Sequence, residues 1–251
     1  MKIVKYRLEE IDDYGVLENG DIFKVDGDIF GSYTVTDLRV KADQVKLLPP
    51  VNPSKIIGMG INYYDFVESI NMPVPETPYI FHKPVSALIG PDDPIVLPNE
   101  TDVIGFEGEL ALVVGKEAKN VPEDKVQQYI FAYTCANDIT NKTDLNRDGH
   151  LGIAKSYDTF CPIGPCMLTD FPGGKINVQC LLNGEQKQNG FTDNMIFSIP
   201  QLVSYISRIM TLYPGDLILT GTPAGVGTLQ NGDKVEVRIE PIGALNNPVQ
   251  L

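Results

Sequence analysis

"GFEGELALVVGK", residues 105–116, decides the fold. Leu110 to Val114 form an apolar run of strand length, closed by Gly115. Two carboxylates precede it at a spacing of two. Side chains alternate across a strand, so Glu107, Glu109, Ala111 and Val113 are expected on one face and Leu110, Leu112 and Val114 on the other. Two neighbouring like charges repel, and burying either is costly unless something positive lies between them. Either the glutamate face meets water, or a cation sits against it.

Further along, Asp138 ends the apolar stretch "IFAYTCAND" (130–138), where the chain leaves the core. If it meets Glu107 and Glu109, three carboxylates face one point. An all-oxygen donor set of this kind suits a hard divalent cation such as Mg²⁺ or Mn²⁺, with Ca²⁺ also accepted. About three positions of an octahedron stay open, enough for water and a bidentate 2-oxo-carboxylate. Lys155 lies in "AKSYDTFCPIGP" (154–165), a turn-rich stretch with no helical period, and precedes an apolar segment that can carry it toward a buried site. "TGTPAGVG" (220–227) lacks the Lys-Ser/Thr ending of a P-loop, and its glycines do not fit the dinucleotide fingerprint. Its backbone N–H groups, with Thr222, remain suited to a carboxylate.

The chain has 251 residues and a net charge of −13, which disfavours nucleic acid and anionic membrane surfaces as partners. The N-terminus has no signal-peptide run, and no segment has the length of a membrane span. Four irregularly spaced cysteines, Cys135, Cys161, Cys166 and Cys180, lack the paired form of a zinc site and read as reduced core thiols of a cytoplasmic protein. "YGVLENGDIFKVDGDIF" (14–30) is a hairpin signal around Asn19-Gly20, and "INVQCLLNGEQKQ" (176–188) is another around Asn183-Gly184. The proline-rich "LLPPVNPSK" (47–55) marks a boundary between a small N-terminal domain, 1–50, and a larger one, 51–251. One helix is well signalled, "SIPQLVSYISRIM" (198–210). Ser198 and Gln201 form a capping box, and Leu202, Ile206, Ile209 and Met210 share a face. The architecture expected is mostly β, with few helices.

Six stretches in this order, "GMGINYYDF", "GFEGELALVVGK", "CANDITNKTD", "AKSYDTFCPIGP", "MIFSIPQLVSYISRIMTLYPGDLILTGTPAGVG" and an "NGD" turn, resemble the fumarylacetoacetate hydrolase family. The leading residues resemble the small N-terminal domain of a bacterial branch often labelled hydroxyheptadienedioate isomerase. The resemblance implies a β-sandwich roll, a homodimer, and a divalent metal held by Glu107, Glu109 and Asp138. It places Lys155 where a family lysine positions substrate or metal-bound water, and Thr222, with Gly221, where the substrate carboxylate binds. It also puts Asn62 and Lys142 beside the substrate, Lys142 standing where relatives carry arginine and losing the bidentate fork.

One departure bears on the reaction. Hydrolytic members carry a histidine and a glutamate where this chain has Phe66 and Ser69, so the water-activating dyad is missing. Of the two histidines, His82 and His150, the second lies five residues before Lys155 and is a candidate base. A metal-stabilised enolate serves C–C hydrolysis, decarboxylation and keto–enol isomerisation alike. Without the dyad, the expectation is isomerisation or decarboxylation of a small 2-oxo or 1,3-dicarbonyl dicarboxylate such as oxaloacetate. The alternatives are a C–C hydrolase of the fumarylacetoacetate or acylpyruvate type, and a non-catalytic metabolite-binding protein on the same fold.

Overall fold

A computed structural model describes residues 1–251. Its organising element is a twelve-stranded sheet with Gly108–Val114 near the middle. That strand pairs antiparallel with Ile130–Asn137 on one side, Glu109 opposite Ala136, and with Leu217–Leu219 on the other. Leu217–Leu219 in turn runs parallel to Ile56–Met59. Every residue of Gly108–Val114 is buried, as the apolar run requires.

The two faces of this strand feed two cores. Leu110, Leu112 and Val114 pack with Val178, Cys180, Val235 and Val237 of a second, five-stranded sheet and with Leu202 and Ile206 of the helix Ile199–Ile209. Ala111 and Val113 join Ala136, Leu217 and Leu219 on the opposite face. The architecture is mostly β, built of packed sheets, as expected. All four cysteines are free and buried. No helix is long and apolar enough to cross a membrane.

Both Asn-Gly turns form, with Asn19, Gly20, Asn183 and Gly184 all at positive φ, the conformation that selects these residues for tight hairpins. The N-terminal strands do not stand apart. Lys2–Leu8 pairs with Cys161–Leu168, so the sheet continues across the boundary drawn near residue 50. The capping box of Ser198 and Gln201 is present, but the helix rotates so that Val203 is buried with Leu202 and Ile206, while Ile209 is exposed.

Two short helices, Lys142–Asp148 and Leu151–Ala154, lead into the turn-rich stretch that begins at Ala154. The first is capped by Asn141, whose side chain accepts the Asp144 N–H, and ends at Gly149 in the left-handed conformation. The second ends at Lys155 and so aims it.

Candidate metal centre

The glutamate strand is not one strand. Ile104–Phe106 belongs to a separate three-stranded sheet, and the ladder restarts at Gly108. Glu107 occupies the break. Its N–H goes to the side-chain oxygen of Asn137 at 3.0 Å, and its carbonyl accepts the Asp138 N–H at 2.9 Å. The break lets Glu107 and Glu109 converge with Asp138, rather than standing in a row on one pleated face. One carboxylate oxygen from each of the three lies within 4.8 Å of the others.

Each carboxylate is held differently. Glu107 Oε1 accepts from Thr140 Oγ1 at 2.6 Å and from Lys155 Nζ at 2.9 Å. Asp138 is fully buried between two ammonium groups, Lys83 at 2.6 Å from Oδ1 and Lys155 at 2.7 Å from Oδ2. Glu109, also fully buried, has a single partner. Its Oε2 accepts the Gly221 N–H at 2.6 Å, and its Oε1 has no hydrogen bond at all. A buried anionic oxygen without a donor is costly. An orphaned oxygen beside two other carboxylates fits a divalent cation, so the donor set suits the metal that the motifs imply.

The electrostatics agree. Burial, then the charges of Asp138 and Glu107, push the Glu109 carboxyl well above its ordinary range. Burial also pushes Asp138 up, but Lys155 and Lys83 outweigh it and hold that carboxyl low. Burial opposes the Lys155 charge, yet Asp138 and Glu107 overcome it, so Lys155 stays an ammonium group. It brings a charge and hydrogen bonds to Glu107 and Asp138.

Lys83 is a member of the centre that no sequence motif marks. It comes from Ile80–Lys83, where Phe81 and Lys83 point inward and His82 outward. That parity with Phe81 is the only signal the sequence offers for it.

The residues expected at the substrate are distributed unevenly. Lys142 is half-buried, donates to the Gly227 carbonyl at 3.1 Å, and feels the charges of Glu107 and Lys155; burial lowers its pKa. Asn62 is committed to the scaffold: its amide donates to the Phe197 and Thr220 carbonyls and its oxygen accepts the Phe197 N–H. The Gly221 N–H is taken by Glu109. Gly221 sits at φ +91°, where a Cβ would come within 2.8 Å of Asn62 Cβ, so this turn admits only glycine. Thr222 donates its hydroxyl to the Gly108 carbonyl and accepts from Gln188, which also binds the Gly108 N–H. His150 is exposed, and its Nδ1 accepts the Gly152 N–H at a helix start. Nothing joins it to the carboxylates.

Phe66 and Ser69 lie on the short helix Tyr64–Ser69, Phe66 half-buried and the Ser69 hydroxyl donating to the Phe66 carbonyl. Neither side chain offers a base.

The fold and the oxygen-lined centre together define a class. Residues 55–250 match the fumarylacetoacetate hydrolase C-terminal family and residues 1–50 match the Rv2993c-like N-terminal family. The chain belongs to the fumarylacetoacetate hydrolase family. It is 48% identical over 230 residues to an uncharacterized protein of Archaeoglobus fulgidus, covering 91% of this chain and 92% of that one. It is 39% identical to the mitochondrial oxaloacetate tautomerase fahd2 of Xenopus laevis, over 82% of this chain and 68% of that one. Among solved structures, the 5-carboxymethyl-2-hydroxymuconate delta-isomerase of Mycobacterium smegmatis superposes with a TM-score of 0.94 at 37% identity, covering 100% and 99% of the two chains.

Proposed function

We propose that this protein is a divalent-metal-dependent tautomerase that interconverts the enol and keto forms of a small 2-oxo dicarboxylate such as oxaloacetate. The observation that carries the reading is the charge balance of the centre. Three carboxylates face two buried ammonium groups, Lys83 and Lys155, leaving one negative charge unmatched. A divalent cation turns that into a single positive charge, which complements a bound carboxylate. The names of the Xenopus and Mycobacterium relatives, a tautomerase and an isomerase, support the same class of reaction.

Glu107, Glu109 and Asp138 would hold the cation, which would supply Lewis acidity toward the 2-oxo-carboxylate. The oxygen-only donors favour Mg²⁺ or Mn²⁺. The chain's own residues do the rest. Lys155, paired with Glu107 and Asp138, is placed to stabilise negative charge that builds up as the proton moves between oxygen and carbon. Lys83 holds Asp138 from behind. Lys142 at the margin adds positive charge for the second carboxylate. Hydrolysis requires an activated water, a contribution typically worth ~10²–10⁴-fold, and Phe66 with Ser69 supplies no group for it. Decarboxylation of the same acids would draw on the same centre and is read separately, as carbon dioxide release. The family resemblance supports a homodimer.

The test is a comparison of substrates under saturating Mg²⁺. Enol-to-keto conversion of oxaloacetate, followed by loss of enol absorbance, is expected to be accelerated, while acylpyruvate hydrolysis stays slow. Fast hydrolysis without enol turnover would overturn the reading. Phe66→His combined with Ser69→Glu is expected to raise hydrolysis.

A further inference from the structure

Three buried side-chain polar atoms have no hydrogen-bond partner: Tyr63 Oη, Glu109 Oε1 and Asn137 Nδ2. Asn137 is anchored by its other atom, which takes the Glu107 N–H. Tyr63 has no such second role. It is completely buried, and a phenylalanine would serve the packing without leaving a hydroxyl unsatisfied.

The sheet order places the segment that carries this hydroxyl close to the strand of Glu109. Ile56–Met59 lies beside Leu217–Leu219, which lies beside the strand of Glu109. The chain continuing from Met59 is pinned where Asn62 binds the Thr220 carbonyl, and Gly221 packs against Asn62 while giving its N–H to Glu109. Tyr63 follows directly, fixed by a backbone bridge to Met195. Of the charges around it, Glu109 acts on the phenol most strongly, ahead of Asp65 and Asp193. A buried donor and a buried acceptor are thus both left unsatisfied, the donor near enough for the Glu109 charge to act on it.

We infer that the Tyr63 hydroxyl is a ligand-facing donor that gives its hydrogen bond to an oxygen of the bound oxo acid. This rests on the proposed function. Burial and the Glu109 charge push the phenol upward, so it keeps its proton and is a neutral donor wherever the protein is folded. A neutral donor can bind a developing oxyanion without drawing negative charge from the three carboxylates as another ammonium group would.

The experiment compares the wild type with Tyr63→Phe, measuring calorimetrically the binding of Mn²⁺ alone and then of oxalate, an enolate mimic, to the Mn²⁺-saturated protein. The expected result is unchanged Mn²⁺ affinity, oxalate affinity weaker by about ten-fold or more, and a melting temperature at or above that of the wild type. Oxalate binding is also expected to produce a tyrosine difference absorption in the wild type that the variant lacks. Equal oxalate affinity in both proteins would overturn the role of Tyr63 alone. A fall in Mn²⁺ affinity that accounts for the whole loss would overturn it too, since Tyr63 would then serve Glu109. Failure of the wild type to bind oxalate would instead overturn the oxo-acid reading, and this inference with it.

Discussion

Two buried carboxylates of this molecule, Asp216 and Glu109, are equally cut off from water and oppositely treated. Asp216 Oδ1 accepts from the Ser54 N–H, the Ser54 hydroxyl and the Lys55 N–H. Its Oδ2 accepts from Lys55 Nζ and the Tyr213 N–H. Every lone pair is directed at a donor, and the result is a rivet between the start of the family domain and the turn before Leu217–Leu219. Glu109 lies on the neighbouring strand and receives one N–H. The protein has the means to saturate a buried carboxylate and does so at Asp216. At Glu109 it leaves an oxygen free, beside two more carboxylates. The full set of donors at Asp216 marks a structural acid, and the free oxygen of Glu109, beside Glu107 and Asp138, marks an acid open to a ligand.

The largest effect on stability is expected at Asp216. Asp216→Ala strands buried N–H groups and the Lys55 charge, and is expected to cost about 3–5 kcal/mol in denaturant unfolding. Protein that still folds should bind Mn²⁺ as the wild type does. A loss under ~1 kcal/mol would show that the saturated carboxylate is not the rivet described.

Glu109→Gln should do the reverse in the metal-free protein. A carboxyl whose folded pKa is raised contributes stability that is fully present below its ordinary value of 4.5 and is lost as pH rises through the folded value. At pH 8 the wild type therefore carries the cost either of a buried, poorly matched charge or of holding a proton against the solution pH, and the amide carries neither. The variant should melt higher by roughly 2–4 °C for each kcal/mol relieved. The gap should close below about pH 4.5. Mn²⁺ should stabilise the wild type and narrow or reverse the gap. A variant that melts lower at pH 8 without metal would show that the Glu109 charge is matched within the protein.

Lys155→Met separates holding a metal from using it. Turnover of oxaloacetate enol is expected to drop by about 10²-fold or more, the scale of losing one charge-stabilising donor. Mn²⁺ affinity should change far less. The smallest effect is expected at His150. His150→Ala removes a helix-start contact worth under about 1 kcal/mol and should leave turnover within a few-fold. A loss of about 10²-fold would identify it as the missing base after all.

Much of the centre is legible in the amino-acid sequence. The spacing of Glu107 and Glu109 inside an apolar strand, and Asp138 at the end of another, are local patterns. The motifs around Lys155 add a third. What stays hidden depends on distant registers. Lys83 is 55 residues from Asp138, and only the pairing of Ile80–Lys83 with Ile56–Met59 turns it inward. The saturation of Asn62, Gly221 and Thr222 by the scaffold is equally unreadable, because it follows from how three segments cross. The break at Glu107 does not show because the hydrophobic pattern is continuous through it; Asn137, across the ladder, imposes it. The helices at 142–148 and 151–154 are too short to show a period.

Whether Glu109, with Glu107 and Asp138, holds a divalent cation is decided by calorimetric titration of Mn²⁺ into the wild type and Glu109→Gln at the same pH. One ion per chain is expected in the wild type, with an affinity at least about 100-fold weaker in the variant, in keeping with loss of a charged ligand. Equal binding by the two proteins would contradict this and place the metal elsewhere.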